Sequence, residues 1–155
     1  MNKPEHWDIS YELGVIAIDE QHQELIAIAE DLSTKATSNE TTFEEVKIRF
    51  DALLGYTKYH LGMEEYVMQQ SNFEGYDQHK LEHDKFVHEI QSLRLQLKQH
   101  DVSVAKTAAQ LLQVWLLKHI QIIDKTFVDF LLQHYPNTQA NDLLQHAYDD
   151  LVLNS

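Results

Sequence analysis

Seven side chains able to bind metal recur along this chain in a fixed order: His22, then His60-x-x-x-Glu64, His79-x-x-x-His83 and His119-x-x-x-x-Asp124. Residues four apart on a helix share a face one turn apart, so His60 with Glu64, and His79 with His83, each direct two donors toward one point. Each group falls on the apolar stripe of a different predicted helix, and the donors are expected to converge inside one bundle. Any one of these motifs is weak, because a lone histidine on an apolar face is commonly a hydrogen-bonded core residue. Together they are different. Burying five imidazoles and two carboxylates in one core without compensating charge costs on the order of several kcal/mol. Metal ions remove that cost, and seven ligands suffice for two ions.

The step from His119 to Asp124 is irregular. Five residues rotate through about 140° in an ideal α-helix, which would carry Asp124 away from the other donors. A local π-bulge would return it to the core, and such bulges concentrate at functional sites. An unbroken α-helical ladder from Trp115 to Thr126 would exclude this expectation. The donor types also bear on chemistry. Carboxylate-rich di-iron bundles use Glu-x-x-His pairs, a spacing not found among these positions. With two anionic side chains among seven, the site offers mostly neutral nitrogen, which suits ferrous iron and does less to stabilise highly oxidised iron. Reversible binding is therefore favoured over oxygen-splitting chemistry. Zinc or manganese also fits these donors, so residue types alone leave the metal open.

The elements that must position these residues follow from the hydrophobic pattern. After a short extended arm holding Trp7, Ile9 and Tyr11, a first helix is predicted to start near Asp19, with Leu25, Ile26, Ala29 and Leu32 continuing the stripe of His22. A second runs from about Thr42 to Gln70 with Val46, Phe50, Leu53, Thr57, His60, Glu64 and Val67 on one face. Ser71 to Gly75 reads as a turn. The third helix carries Tyr76, His79, His83, Phe86, Ile90, Leu93 and Leu97. The fourth carries Val104, Ala108, Leu111, Trp115, His119, Ile122 and Thr126, until Tyr135-Pro136 stops it. Short connections between long helices favour an all-α, antiparallel up-down four-helix bundle over about residues 19–135, with an N-terminal arm at 1–18. Leu143, Leu144, Ala147, Tyr148, Leu151 and Val152 predict an extra short C-terminal helix at about 138–153. It is expected to pack on the outside of the bundle, with a protein partner or self-association as the alternative.

Composition narrows the function classes. The 155 residues, 43% of them hydrophobic, fit one domain with a sizeable core. Absence of cysteine excludes disulfides, thiolate metal sites and thiol catalysis. A formal charge of −13, with no dense cluster of Lys and Arg, argues against nucleic acid or an anionic membrane as partner. No apolar stretch approaches the ~18–20 residues of a membrane span, so a cytoplasmic protein is expected. Catalytic triads and phosphate-binding glycine loops are absent.

The order His, His-x-x-x-Glu, His-x-x-x-His, His-x-x-x-x-Asp, preceded by Gly14-x-x-x-Ile18-Asp19-x-x-His22, closely resembles the hemerythrins over about residues 7–133, and in length and flanking sequence the bacterial ones. The resemblance implies a non-haem centre in which His79, His83 and His119 bind one iron, and His22 and His60 the other. Glu64 and Asp124 would bridge the pair together with an oxo or hydroxo group. It also implies that dioxygen binds reversibly at the open position as hydroperoxide, for storage, delivery or buffering, without enzymatic turnover. An oxygen or redox sensor signalling to a partner protein, and an enzyme of peroxide or nitric oxide detoxification or iron-centre repair, remain alternatives with the same ligands. Leu25, Leu61, Trp115, Leu116 and Ile120 resemble the apolar lining of the oxygen pocket. Leu61 departs from the family, which often has Phe there, and the smaller side chain is expected to open a path for water or ligands. Glu65 is expected to be a solvated charge, Asp19 a helix cap, and His6, His88, His100, His134 and His146 surface or boundary residues.

Overall fold

The computed structural model describes residues 3–153 of the chain. One 3-10 turn, Ile9–Tyr11, precedes α1 (Ile16–Thr37), α2 (Phe43–Gln70), α3 (Tyr76–Leu95) and α4 (Ser103–His119). A π turn, Ile120–Asp124, joins α4 to α5 (Lys125–His134), and α6 (Asn137–Tyr148) follows, ending in a second π turn, Asp149–Leu153. Helix α1 packs against α2 and α4, and α3 packs against the same two, closing an all-helical bundle of four rods. The short connections make neighbouring rods antiparallel. Among the described residues, no helix is long and apolar enough to cross a membrane.

Local chemistry sets the helix ends. Thr42 begins α2 with a capping box, its hydroxyl accepting from Glu45 N–H while the Glu45 carboxylate accepts from Thr42 N–H. Helix α1 starts at Ile16, earlier than the expected Asp19, and its preceding residue Val15 has no capping side chain. Asp19 lies inside the first turn, where its carboxylate accepts from Leu13 N–H at 2.8 Å and Gly14 N–H at 3.1 Å. It therefore fixes the loop leading into α1, in which Gly14 adopts φ +100°, and does not cap the helix as expected. A free N–H of the first turn, that of Ala17, is instead satisfied by Asn141 Oδ1 of α6 at 3.2 Å. The arm is also less extended than expected: it coils at Ile9–Tyr11, and Ile9 is 74% exposed.

The stripes of α1 and α2 face inward as expected, and on α3 His79, His83, Phe86 and Ile90 are buried. That helix ends at Leu95, and Leu97 lies beyond it, just before a tight turn closed by reciprocal backbone hydrogen bonds between Lys98 and Asp101. The fourth rod needs a larger correction. Its buried face is Ala105, Ala108, Ala109, Leu112, Leu116 and His119, then Asp124, Phe127, Val128 and Leu131, while Ile122 is 63% exposed and Thr126 is exposed too. A uniform α period places Ile122 and Thr126 inward after His119. The π turn takes up one extra residue, so every inward position beyond it falls later than that period gives.

The buried apolar side chains form two clusters. One gathers Leu25, Leu32, Phe50, Phe86, Ile90, Leu112, Leu116 and Ile120. The other gathers Val15, Ile18, Met63, Val67, Phe127, Val128 and Leu131 with Ala140, Leu144 and Ala147 of α6. Helix α6 lies on the bundle against α2, α1 and α5, so its inner stripe is covered by this chain, while Tyr148, Leu151 and Val152 are each about 40% exposed. The chain order Ile18-His22-Leu25, Leu53-His60-Glu64-Val67 and Leu116-His119-Asp124-Phe127 places a polar layer between the two clusters.

Candidate metal centre

All seven expected donors lie in that layer, none more than 4% exposed. Helix α1 supplies His22, α2 supplies His60 and Glu64, α3 supplies His79 and His83, α4 ends on His119, and the π turn ends on Asp124. The π turn is the device that brings Asp124 inward, as the five-residue spacing requires. One ligand atom from each of Glu64, His79, His83, His119 and Asp124 lies within 4.8 Å of the others, and the same holds for His22, His60, Glu64 and Asp124. The two groups share both carboxylates.

Each carboxylate sends one oxygen to each group. Glu64 Oε1 is 3.4 Å from His22 Nε2 and 3.2 Å from His60 Nε2, while its Oε2 is 3.3 Å from His83 Nε2. Asp124 Oδ2 is 3.1 Å from His22 Nε2, and its Oδ1 is 3.0 Å from His79 Nε2 and 3.1 Å from His119 Nε2. His119 Nε2 also lies 3.0 Å from Nε2 of both His79 and His83. Three ring nitrogens this close cannot all present lone pairs to one another without a cation among them. Yet His22 Nε2, His60 Nε2, both Glu64 oxygens and Asp124 Oδ2 have no aligned hydrogen-bond partner although fully buried. Buried polar atoms are rarely left so. Converging nitrogen and oxygen donors fit two cations in number and in chemistry, and borderline metals such as ferrous iron suit this mixture.

Protons compete for the same atoms. Burial opposes charge on His22 and His83, but Asp124 and Glu64 beside the first, and Glu64 and Glu65 beside the second, outweigh it and raise both to about 9. For His60 burial dominates and its pKa is lowered. Burial pushes the Glu64 carboxyl up, but His60, His22 and His83 overcome it and hold it well below the ordinary range. Asp124 is likewise held low, because His119 and His22 outweigh burial and the neighbouring Glu64 charge.

Two residues outside the seven hold ligand rings in place. Gln21 Oε1 is 2.8 Å from His60 Nδ1, and Glu65 Oε1 is 3.0 Å from His83 Nδ1. Glu65 is thus no solvated charge: its side chain is 20% exposed and packs between α2 and α3. One residue on a helix turns about 100°, which points Glu64 at the centre and Glu65 at α3. Such outer partners fix the tautomer and orientation of ligand imidazoles. Of the expected apolar lining, Leu25, Leu116 and Ile120 are fully buried, and Leu61 is 2% exposed. Leu61 also borders a surface cleft with Lys58, Glu65 and His83. Trp115 is half-buried and stacks on His119 at 4.3 Å and on Phe86 at 3.9 Å between ring centroids. His6, His88, His100, His134 and His146 are exposed, as expected.

Fold and site together define a helical-bundle protein with a buried dinuclear metal site. The family description "Hemerythrin HHE cation binding domain" matches residues 13–131. The chain is similar to the bacteriohemerythrin of Methylococcus capsulatus, 30% identical over 70% of this chain and 82% of that one. It is also similar to the myohemerythrin of Theromyzon tessulatum, 28% identical over 79% of this chain and 89% of that one. The crystal structure of a wild-type hemerythrin superposes with a TM-score of 0.71 at 25% identity, covering 81% of this chain and 95% of that one. The chain belongs to the hemerythrin family, and its cofactor is that family's pair of iron ions.

Proposed function

We propose that this protein binds dioxygen reversibly, as a binding protein of the cytoplasm serving storage, delivery or buffering, and not as an enzyme. The observation that carries this reading is the donor set: five imidazole Nε2 atoms and two carboxylates, divided into a three-histidine and a two-histidine group that share both carboxylates. When bound, the iron pair supplies the electrons that a reversible capture of dioxygen needs. His79, His83 and His119 would hold one ion and His22 and His60 the other, with Glu64 and Asp124 spanning them. The two-histidine side has one nitrogen donor fewer, so the residues there would leave more room for an exogenous ligand than those of the three-histidine side. Neutral imidazoles keep the total charge of the site low, which disfavours highly oxidised iron. Gln21 and Glu65 hold rings in register, and Leu25, Leu116 and Ile120 exclude water from one side.

Anaerobic loading with ferrous iron tests this. Two irons per chain are expected, with a visible charge-transfer band that appears on adding oxygen and disappears on removing it through repeated cycles. A single irreversible oxidation would overturn the carrier reading.

A second reading, an oxygen or redox sensor, is supported by one shared cleft. Gln21, which holds His60, also lines a cleft bordered by Asn141, Leu144, Gln145 and Tyr148 of α6. A shift of His60 would therefore be felt where α6 docks.

A further inference from the structure

The two outer partners differ in charge, and they divide between the two halves of the centre. Glu65 holds His83, a member of the three-histidine group, whereas Gln21 holds His60, a member of the two-histidine group. A carboxylate only accepts hydrogen bonds, so His83 Nδ1 carries the proton that lies between it and Glu65, and Nε2 is the nitrogen left to give a lone pair to a cation. The Gln21 carbonyl oxygen selects the same tautomer of His60. The two partners orient their rings alike but do not push alike. An anionic acceptor draws the Nδ1 proton toward itself and raises the electron density at Nε2, which makes that nitrogen a better donor to a cation. A neutral amide orients the ring with much less of that push.

We infer that Glu65 is a positioning residue which, with Gln21 as its neutral counterpart, makes the three-histidine half the tighter metal site, so that the two ions load in sequence. Ligand number favours the same half, so a difference between the two affinities does not by itself identify Glu65 as a cause. Charge variants do, because they leave the ligand count alone. The inference rests on the two-metal reading of the site and is independent of what the loaded centre does with dioxygen.

The test is a titration of the chelator-stripped full chain with Co2+ alone, followed by visible absorption and by competition with a chelator, which yields two stepwise dissociation constants. Glu65→Gln keeps the reach of the side chain and removes its charge. It should weaken the first, tighter constant by about tenfold to a hundredfold and leave the second unchanged. Gln21→Glu is the reciprocal change and should tighten the second constant, narrowing the gap between the two. The unchanged second constant is the internal control that separates a donor effect from a folding defect, because a disturbed bundle would weaken both sites. Two Co2+ bound with Glu65→Gln leaving both constants unchanged, or weakening them equally, would overturn the inference while sparing the two-metal site. Fewer than two Co2+ bound by wild type would overturn both.

Discussion

At the scale of single residues, the centre depends on groups that carry opposite charge in the same buried space. His22 and His83 are raised from an ordinary 6.5 to about 9, with Glu64 and Asp124 held low. A group whose folded pKa exceeds its unfolded value stabilises fully below the unfolded pKa, and that contribution vanishes as pH rises through the folded pKa. Chelator-stripped protein should therefore lose stability between pH 6.5 and about 9, the window set by both histidines. The carboxylates act in the opposite sense and lose their contribution on acidification. In loaded protein the imidazoles are bound without that proton, and the alkaline decline should disappear. Denaturant melts across pH, with and without metal, check this; stripped protein equally stable at pH 6.5 and above pH 9 would contradict it. The seven donors were legible in the sequence because metal binding demands particular side chains at helical spacing. Glu65 and Gln21 were not. Each touches a histidine on another helix, at sequence separations of 18 and 39, and nothing in its own neighbours marks it.

At the scale of elements, the π turn is what a five-residue step between inward ligands requires. The spacing of His119 and Asp124 announced it, but its effect on the rest of the rod was missed, because α periodicity alone assigned Ile122 and Thr126 to the core. An extra residue accommodated as a bulge leaves the helix beyond it in place, so removing it should restore an ordinary helix. Deleting the exposed Ile122 makes the step four residues, which keeps Asp124, Phe127, Val128 and Leu131 inward. That variant should fold and bind two metals per chain. Deleting Val114, similarly exposed at 62% but inside regular α4, turns everything after it by about 100°. It should lose metal binding and melt much earlier. Metal counts and thermal melts of the two deletions decide the matter, and equal damage from both would show that the bulge does more than preserve register.

At the scale of the molecule, a polar layer is clamped between two apolar clusters, and α6 completes one of them. Four long helices were plain from the hydrophobic period and the scarcity of breakers, but the inward stripe of the fourth was not, since Val104, Leu111 and Trp115 are only half-buried while Ala105, Leu112 and Leu116 are buried. The last helix docks on the bundle, the expected one of the two outcomes its pattern left open. The start of α1 was not, since Asn141, 124 positions away, satisfies a backbone group there that no nearby side chain reaches. Long-range capping of this kind couples the tail to the helix bearing His22, and it leaves no local trace. The central claim is that this layer holds two ions spanned by Glu64 and Asp124. Anomalous diffraction at the iron edge, from crystals of anaerobically iron-loaded protein, tests it most directly. Two peaks per chain are expected, both bordered by Glu64 and Asp124, one beside His79, His83 and His119 and the other beside His22 and His60. A single peak, or peaks away from these side chains, would contradict it.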